Sequence, residues 1–63
     1  MKYEINFLKD LDETTTLNVI VDAKGREVGK VNFYYDYGDT LCDIEVVEGN
    51  FTDESIWDIL EEM

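Results

Sequence analysis

Residues Leu17–Tyr37 read LNVIVDAKGREVGKVNFYYDY, and they decide the fold. From Leu17 to Asp22 the side chains alternate, with Leu17, Val19 and Val21 on one face and Asn18, Ile20 and Asp22 on the other. A period of two is the signature of a strand rather than a helix. Ala23-Lys24-Gly25-Arg26 supplies a turn, in which Gly25 can take a positive φ at no steric cost. Glu27 to Tyr37 then returns as a second strand, with Gly29, Val31, Phe33, Tyr35 and Tyr37 on one side. The segment is predicted to be a β-hairpin.

Outward from the hairpin the pattern weakens. Met1 to Leu8 alternates through Tyr3, Ile5 and Phe7, as a short strand would, and the polar stretch Lys9 to Thr16 reads as a loop. On the other side, Gly38 and Asp39 end the returning strand. Thr40-Leu41-Cys42-Asp43 has the form of a capping box, and Gly49-Asn50 stands where a helix would be capped at its C-terminus. Between these signals Leu41, Ile44 and Val47 recur every three residues. The expectation is a short helix at about 40–48. The rival reading is a strand, because Ile44, Val46 and Val47 are β-branched and alternate with Asp43 and Glu45. In the last segment Ile56, Ile59, Leu60 and Met63 fall at helical spacing behind a candidate cap, Thr52, with a strand at Glu54–Glu61 as the competitor. The fold class expected is α+β: one domain over residues 1–63, a small antiparallel sheet with one short helix.

Charge is distributed unevenly. The chain carries 16 Asp and Glu against five Lys and Arg, with no His, for a formal charge of −11. Residues 1–30 hold six of the acids and all five bases, net −1, whereas residues 31–63 hold ten acids and no base, net −10. Disordered acidic tails are poor in aromatic and β-branched residues. This half contains Phe33, Tyr34, Tyr35, Tyr37, Phe51 and Trp57, along with Ile44, Val46, Val47, Ile56, Ile59 and Leu60, so it is expected to fold and to present an acidic face.

The same composition argues against most chemistry. Without His, Cys42 lacks an imidazole partner for nucleophilic catalysis, and one Cys cannot fill a tetrahedral zinc site. No spacing matches a calcium loop or a glycine-rich phosphate loop. The join at Val47–Ile56 is faintly similar to the strand-to-helix join of acetyltransferases that use acetyl-CoA, but Thr52-Asp53-Glu54-Ser55 could not hold a pyrophosphate. The protein is expected not to be an enzyme and to use no cofactor or metal. Direct binding of nucleic acid is excluded by repulsion from phosphates. No apolar run is long enough to span a membrane, the N-terminus is not a signal peptide, and a single Cys fits a reducing cytosol. A core this small supplies only about 3–5 kcal/mol, which makes a homodimer the cheapest way to bury more surface.

What remains is a strongly basic protein partner, such as the groove of a nucleic-acid-binding protein. On the expected helix, Glu45 and Glu48 would share a face at about 5–6 Å between Cβ atoms, and Asp36 would extend their line. Charge alone gives fast and promiscuous association, so an apolar anchor is needed, with Tyr37, Ile44 and Val47 as candidates. Tyr34-Tyr35-Asp36-Tyr37, then Leu41-Cys42-Asp43-Ile44-Glu45-Val46-Val47-Glu48-Gly49-Asn50, then Thr52 and Glu54, resemble the small phage-encoded inhibitors of uracil-DNA glycosylase. The similarity covers residues 17–56, and its most specific part is L-x-D-[aromatic/aliphatic]-E-V-x-x-G-N.

The resemblance implies a homodimeric DNA mimic that blocks the DNA-binding groove of the host glycosylase, in the cytoplasm of the host cell, and so protects phage DNA from uracil excision. It places Glu45 and Asp36 where family acids imitate backbone phosphates. It places Ile44 and Glu48 where the family has aromatics lining a pocket of the dimer. Ile44 keeps the apolar character, but Glu48 puts a charge where a ring should be, leaving Tyr37, Val47 or Trp57 to supply the missing wall. The resemblance further implies that the segment after Gly49 returns as a strand, so residues 52–63 are expected as a strand, with a helix as the alternative. Two other readings stand beside it: mimicry aimed at a restriction enzyme, CRISPR effector, nucleoid protein or RNA polymerase, and a plain acidic dimerisation module.

Overall fold

The hairpin forms as its alternation predicts. A computed structural model describes residues 2–36 and 40–62, and in it β2 (Thr15–Val21) pairs antiparallel with β3 (Glu27–Tyr35). The turn is tied by Asp22. Its carboxylate Oδ1 accepts the amides of Lys24 at 2.9 Å and Arg26 at 3.0 Å, and Gly25 takes φ +81° while donating to the Asp22 carbonyl at 2.9 Å. This is the way an Asx turn imitates a backbone turn.

Two more strands complete the sheet. Upstream, β1 (Glu4–Asp10) pairs with β2, and downstream β4 (Leu41–Glu48) pairs with β3, giving an antiparallel meander in the order β1-β2-β3-β4. The polar stretch 9–16, expected as a loop, is half strand: only residues 11–14 form the connection, in which the Thr14 amide donates to Asp12 Oδ1 at 2.8 Å. Its alternation is invisible in sequence because β1 lies at the sheet edge, with only Ile5 of its seven residues buried.

The helix expected at about 40–48 is not there; those residues are β4. Ile44 lies opposite Phe33 and Val46 opposite Val31 on the core side, while Asp43 and Glu45 point away. Packing of β-branched side chains on cross-strand neighbours outweighs an eight-residue helix that would be marginal on its own. Gly49 does end the element, at φ +105°, but it ends a strand.

The helix lies further on. The strand expected for residues 52–63 gives way to its alternative, α1 (Asp53–Glu62). Its N-terminus is a reciprocal cap: the Ser55 amide donates to Thr52 Oγ1 at 3.2 Å, and the Thr52 amide donates to Ser55 Oγ at 2.9 Å. A serine does here what Glu or Gln does in the usual capping box. Asp53 and Glu54 in the first turn suit the helix dipole. Ile56 and Ile59 turn inward, four apart from Thr52 and Ser55 respectively, and Leu60 is half-buried beside them.

The core lies between this helix and one face of the sheet: Ile5, Ile20, Val31, Phe33, Ile44, Ile56 and Ile59. Tyr3 and Phe51 meet edge to face at its border, ring centroids 5.4 Å apart. On β2 the core side is that of Asn18 and Ile20, so Leu17, Val19 and Val21 lie half-buried on the opposite, open face. Asn18 is buried at no polar cost, because its amide donates to Thr16 Oγ1 at 3.1 Å. Four β-bulges interrupt the ladders, and the unpaired residues are Leu8, Val28, Val47 and Cys42. All four are exposed. An extra residue without a cross-strand partner has nothing to pack against, which accounts for three of the large apolar side chains on the surface. The result is a small four-stranded antiparallel sheet with one C-terminal helix, an α+β fold. Among the described residues no helix is long and apolar enough to cross a membrane.

The turns predict an acid sensitivity. The Arg26 amide above all, helped by the Lys24 amide and the Arg26 guanidinium, holds the Asp22 carboxyl below its ordinary value of 3.8 against a desolvation second only to the Arg26 amide. The Thr14 amide does the same for Asp12. A depressed native pKa contributes stability that is present above the unfolded value and is lost as pH falls through the native one. Protonation also relieves self-repulsion in a chain of charge −11, so the comparison must be between proteins. Asp22→Asn is expected to melt below the wild type at neutral pH, with the gap closing well below pH 3.8. A gap in melting temperature that stays constant with pH would remove the charge from the account.

Candidate functional site: the acidic edge

β4 is an edge strand, and its register sets the acids in a row. On the open face of the sheet Asp43 lies opposite Tyr34, Glu45 opposite Asn32 and Glu48 opposite Lys30. In a regular strand residues 45 and 48 would point to opposite faces. The bulge at Val47 takes up the odd residue and returns Glu48 to the side of Glu45. The shared face expected from helical spacing is thus reached by different geometry. Their partners on β3 are two residues apart, so the backbone positions of the three acids recur at about 6.6 Å along the sheet edge.

Each acid is held differently. Asp43 Oδ1 accepts the Ile44 amide at 2.8 Å. Glu45 Oε1 accepts the Tyr34 hydroxyl at 3.2 Å and the Asn32 side-chain amide at 3.5 Å. Glu48 lies 3.6 Å from Lys30 Nζ, which is shared at the same distance with Glu27. These ion pairs are well exposed and so stabilise little, but they make Glu48 the acid whose charge is most compensated. The Asn32 Oδ1 atom is buried without a partner among the described residues.

The other residues picked out in sequence are scattered. Asp36 is exposed just beyond β3, past the end of the Asp43–Glu48 row. Tyr37 lies outside the described residues. Ile44 is 6% exposed and belongs to the core, on the side facing α1. Ile44 and Glu48 therefore point to opposite faces of the sheet within one protomer. Val47 is 54% exposed at its bulge, on the surface but outside the ladder. Trp57 is 43% exposed on α1, flanked by Asp53, Glu54, Asp58 and Glu61 in sequence. The residues that sequence reasoning passed over are Lys30, Asn32 and Tyr34. Their signal was present: they alternate with the core residues Val31 and Phe33, and so had to share the face opposite.

The arrangement offers carboxylates, a phenol and an amide on an open surface. That suits recognition of cationic groups by charge-assisted hydrogen bonds. A groove at the other end of the molecule, lined by Lys2, Tyr3, Glu4 and Glu62, brings no thiol or imidazole. Among the described residues no group of three or more His, Cys, Asp or Glu is placed to hold a metal ion. No protein-family model, curated protein or solved structure matches the chain.

Proposed function

We propose that this protein is a non-enzymatic, acidic DNA mimic that occupies the DNA-binding groove of a host uracil-DNA glycosylase and protects phage DNA from uracil excision. The observation that carries the reading is the row Asp43, Glu45 and Glu48 along one exposed edge strand. Regular spacing on a hydrogen-bonded element lets carboxylates stand in for the phosphates of a strand. The row also falls inside the segment whose sequence resembles the phage inhibitors. The protein acts as a homodimer in the host cytoplasm, uses no cofactor, and binds neither nucleic acid nor membrane.

The test is an excision assay with purified glycosylase and uracil-containing DNA. Inhibition at near-equimolar protein is expected, weakening as salt rises. Glu45→Gln should weaken inhibition about tenfold and flatten the logarithmic salt dependence by about one charge. Full excision in the presence of excess wild-type protein would sink the reading. One feature favours a different target for the same mimicry: Ile44 is buried in the protomer's own core, on the face opposite Glu48, and so does not reach a pocket of the dimer. Capture of a different nucleic-acid-binding protein from host lysate, with the glycosylase absent, would select that second reading.

A further inference from the structure

We propose that Tyr34 and Asn32 are positioning residues that hold Glu45 in its binding geometry before a partner arrives. The inference rests on the mimicry proposed above and adds the device that makes one acid of the row its principal contact.

Glu45 sits on an edge strand, exposed, on a flexible side chain. A long carboxylate in that position ordinarily loses rotamer freedom when it is bound, and affinity suffers. Here two donors from the neighbouring central strand converge on it. The Tyr34 hydroxyl lies 3.2 Å from Oε1, the Asn32 Nδ2 lies 3.5 Å from the same oxygen, and Nδ2 also reaches the Tyr34 hydroxyl at 3.5 Å. The three side chains form a triangle. Both donors are half-buried and stand on β3, which is paired on each side by β2 and β4. Groups that must be held still are best held from such rigid elements.

The chemistry of the donors distinguishes Glu45 from its neighbour. Glu48 is held by an ammonium, so its charge is partly cancelled as it is oriented. A phenol and a carboxamide orient without adding charge. Both bind Oε1, which leaves Oε2 for a guanidinium or ammonium of the partner. Glu45 therefore presents a whole negative charge in a set direction, which neither an exposed free glutamate nor a salt-bridged one does. Asn32 is suited to this role by its register directly across from Glu45, and its own Oδ1 is buried without a partner among the described residues. An amide turned the other way would set an oxygen against the carboxylate.

Two measurements decide the matter. In the free protein, side-chain scalar couplings should show Glu45 in one dominant rotamer, and Tyr34→Phe should average it while leaving the fold intact. Rotamer averaging already present in the wild type, or a single rotamer that survives Tyr34→Phe, would overturn the proposal. Should Tyr34→Phe fail to fold, Asn32→Ala is read in the same way. In the excision assay Tyr34→Phe should weaken inhibition about fivefold, the scale of one hydrogen bond, with the salt slope unchanged because no charge is lost. In a Glu45→Gln background the same change should cost less than about twofold. Equal losses in the two backgrounds would show that Tyr34 acts on the fold and not through Glu45. A wild-type protein that fails to inhibit removes the mimicry reading, and the rotamer measurement then decides the positioning by itself.

Discussion

Ile56→Ala is expected to unfold the protein at room temperature. Ile56 is fully buried, 0% exposed, at the end of the first turn of the only helix among the described residues. It closes the core over Ile20 and Val31, which are also fully buried. Truncating a buried aliphatic to alanine costs about 2–5 kcal/mol, through lost transfer energy and the cavity left behind. A domain below about 70 residues commonly has only about 3–5 kcal/mol to lose. The variant should therefore show a large loss of far-UV ellipticity without denaturant, or a urea midpoint shifted close to zero. Ile56→Leu, which keeps the volume, should cost less than about 1.5 kcal/mol. Trp57→Ala, one residue along but 43% exposed, should unfold near the wild-type midpoint. An Ile56→Ala protein that unfolds at the wild-type midpoint would mean that the helix does not close this core.

Gly49→Ala should come next in severity, and for a reason that composition does not reveal. Gly49 has φ +105°, in a region that side-chain-bearing residues rarely adopt, at a cost of about 1–3 kcal/mol. An added Cβ would also meet the Val28 carbonyl at 2.8 Å, the Gly29 Cα at 3.0 Å and the Phe51 ring at 3.0 Å. Two of these are backbone atoms, which cannot turn aside. Gly29 faces the same crossing from the other strand, where a Cβ would stand 2.7 Å from the Glu48 carbonyl. The two glycines let the end of β4 pass closely over the start of β3, with Phe51 covering the crossing. Gly25→Ala is the control: its φ is +81° but nothing lies within 4 Å of the new Cβ, so only the backbone term of about 1–2 kcal/mol applies. Urea unfolding of the two variants separates strain from clash. Equal losses would show that the close approach at Gly49 relaxes freely.

The acidic edge was half legible in the same way. Glu45 and Glu48 were placed together on one face by an assumed helix, and they are together. A bulge at Val47 brings it about instead, and no local pattern announces a bulge in a run of aliphatics and acids. The capping signals at Thr40 and Gly49 pointed to the wrong element, because a glycine at positive φ ends strands as readily as helices. The signals at Thr52 and Ile56–Leu60 pointed to the right one, and there the resemblance to a family pulled toward a strand that does not form. No local pattern marks Tyr34 and Asn32 as partners of Glu45, because that role depends on the register of β4, which sets Glu45 across from Asn32 and diagonal to Tyr34.

Sequence by itself determined the hairpin and the concentration of acid after Lys30, and it carried the signal of the final helix although the expectation for that segment was a strand. Each of these is written in neighbouring residues: a period of two around a turn, a spacing of three and four behind a cap, and a count of charges. Only the tertiary structure decided that residues 41–48 are a strand, which of its acids share a face, and which groups hold Glu45. Those outcomes depend on cross-strand contacts with residues 6 to 18 positions away, such as Phe33 with Ile44 and Lys30 with Glu48. Burial against such distant partners outweighs local propensity, and so a short segment with two self-consistent local readings takes the one that the neighbouring strand can pair.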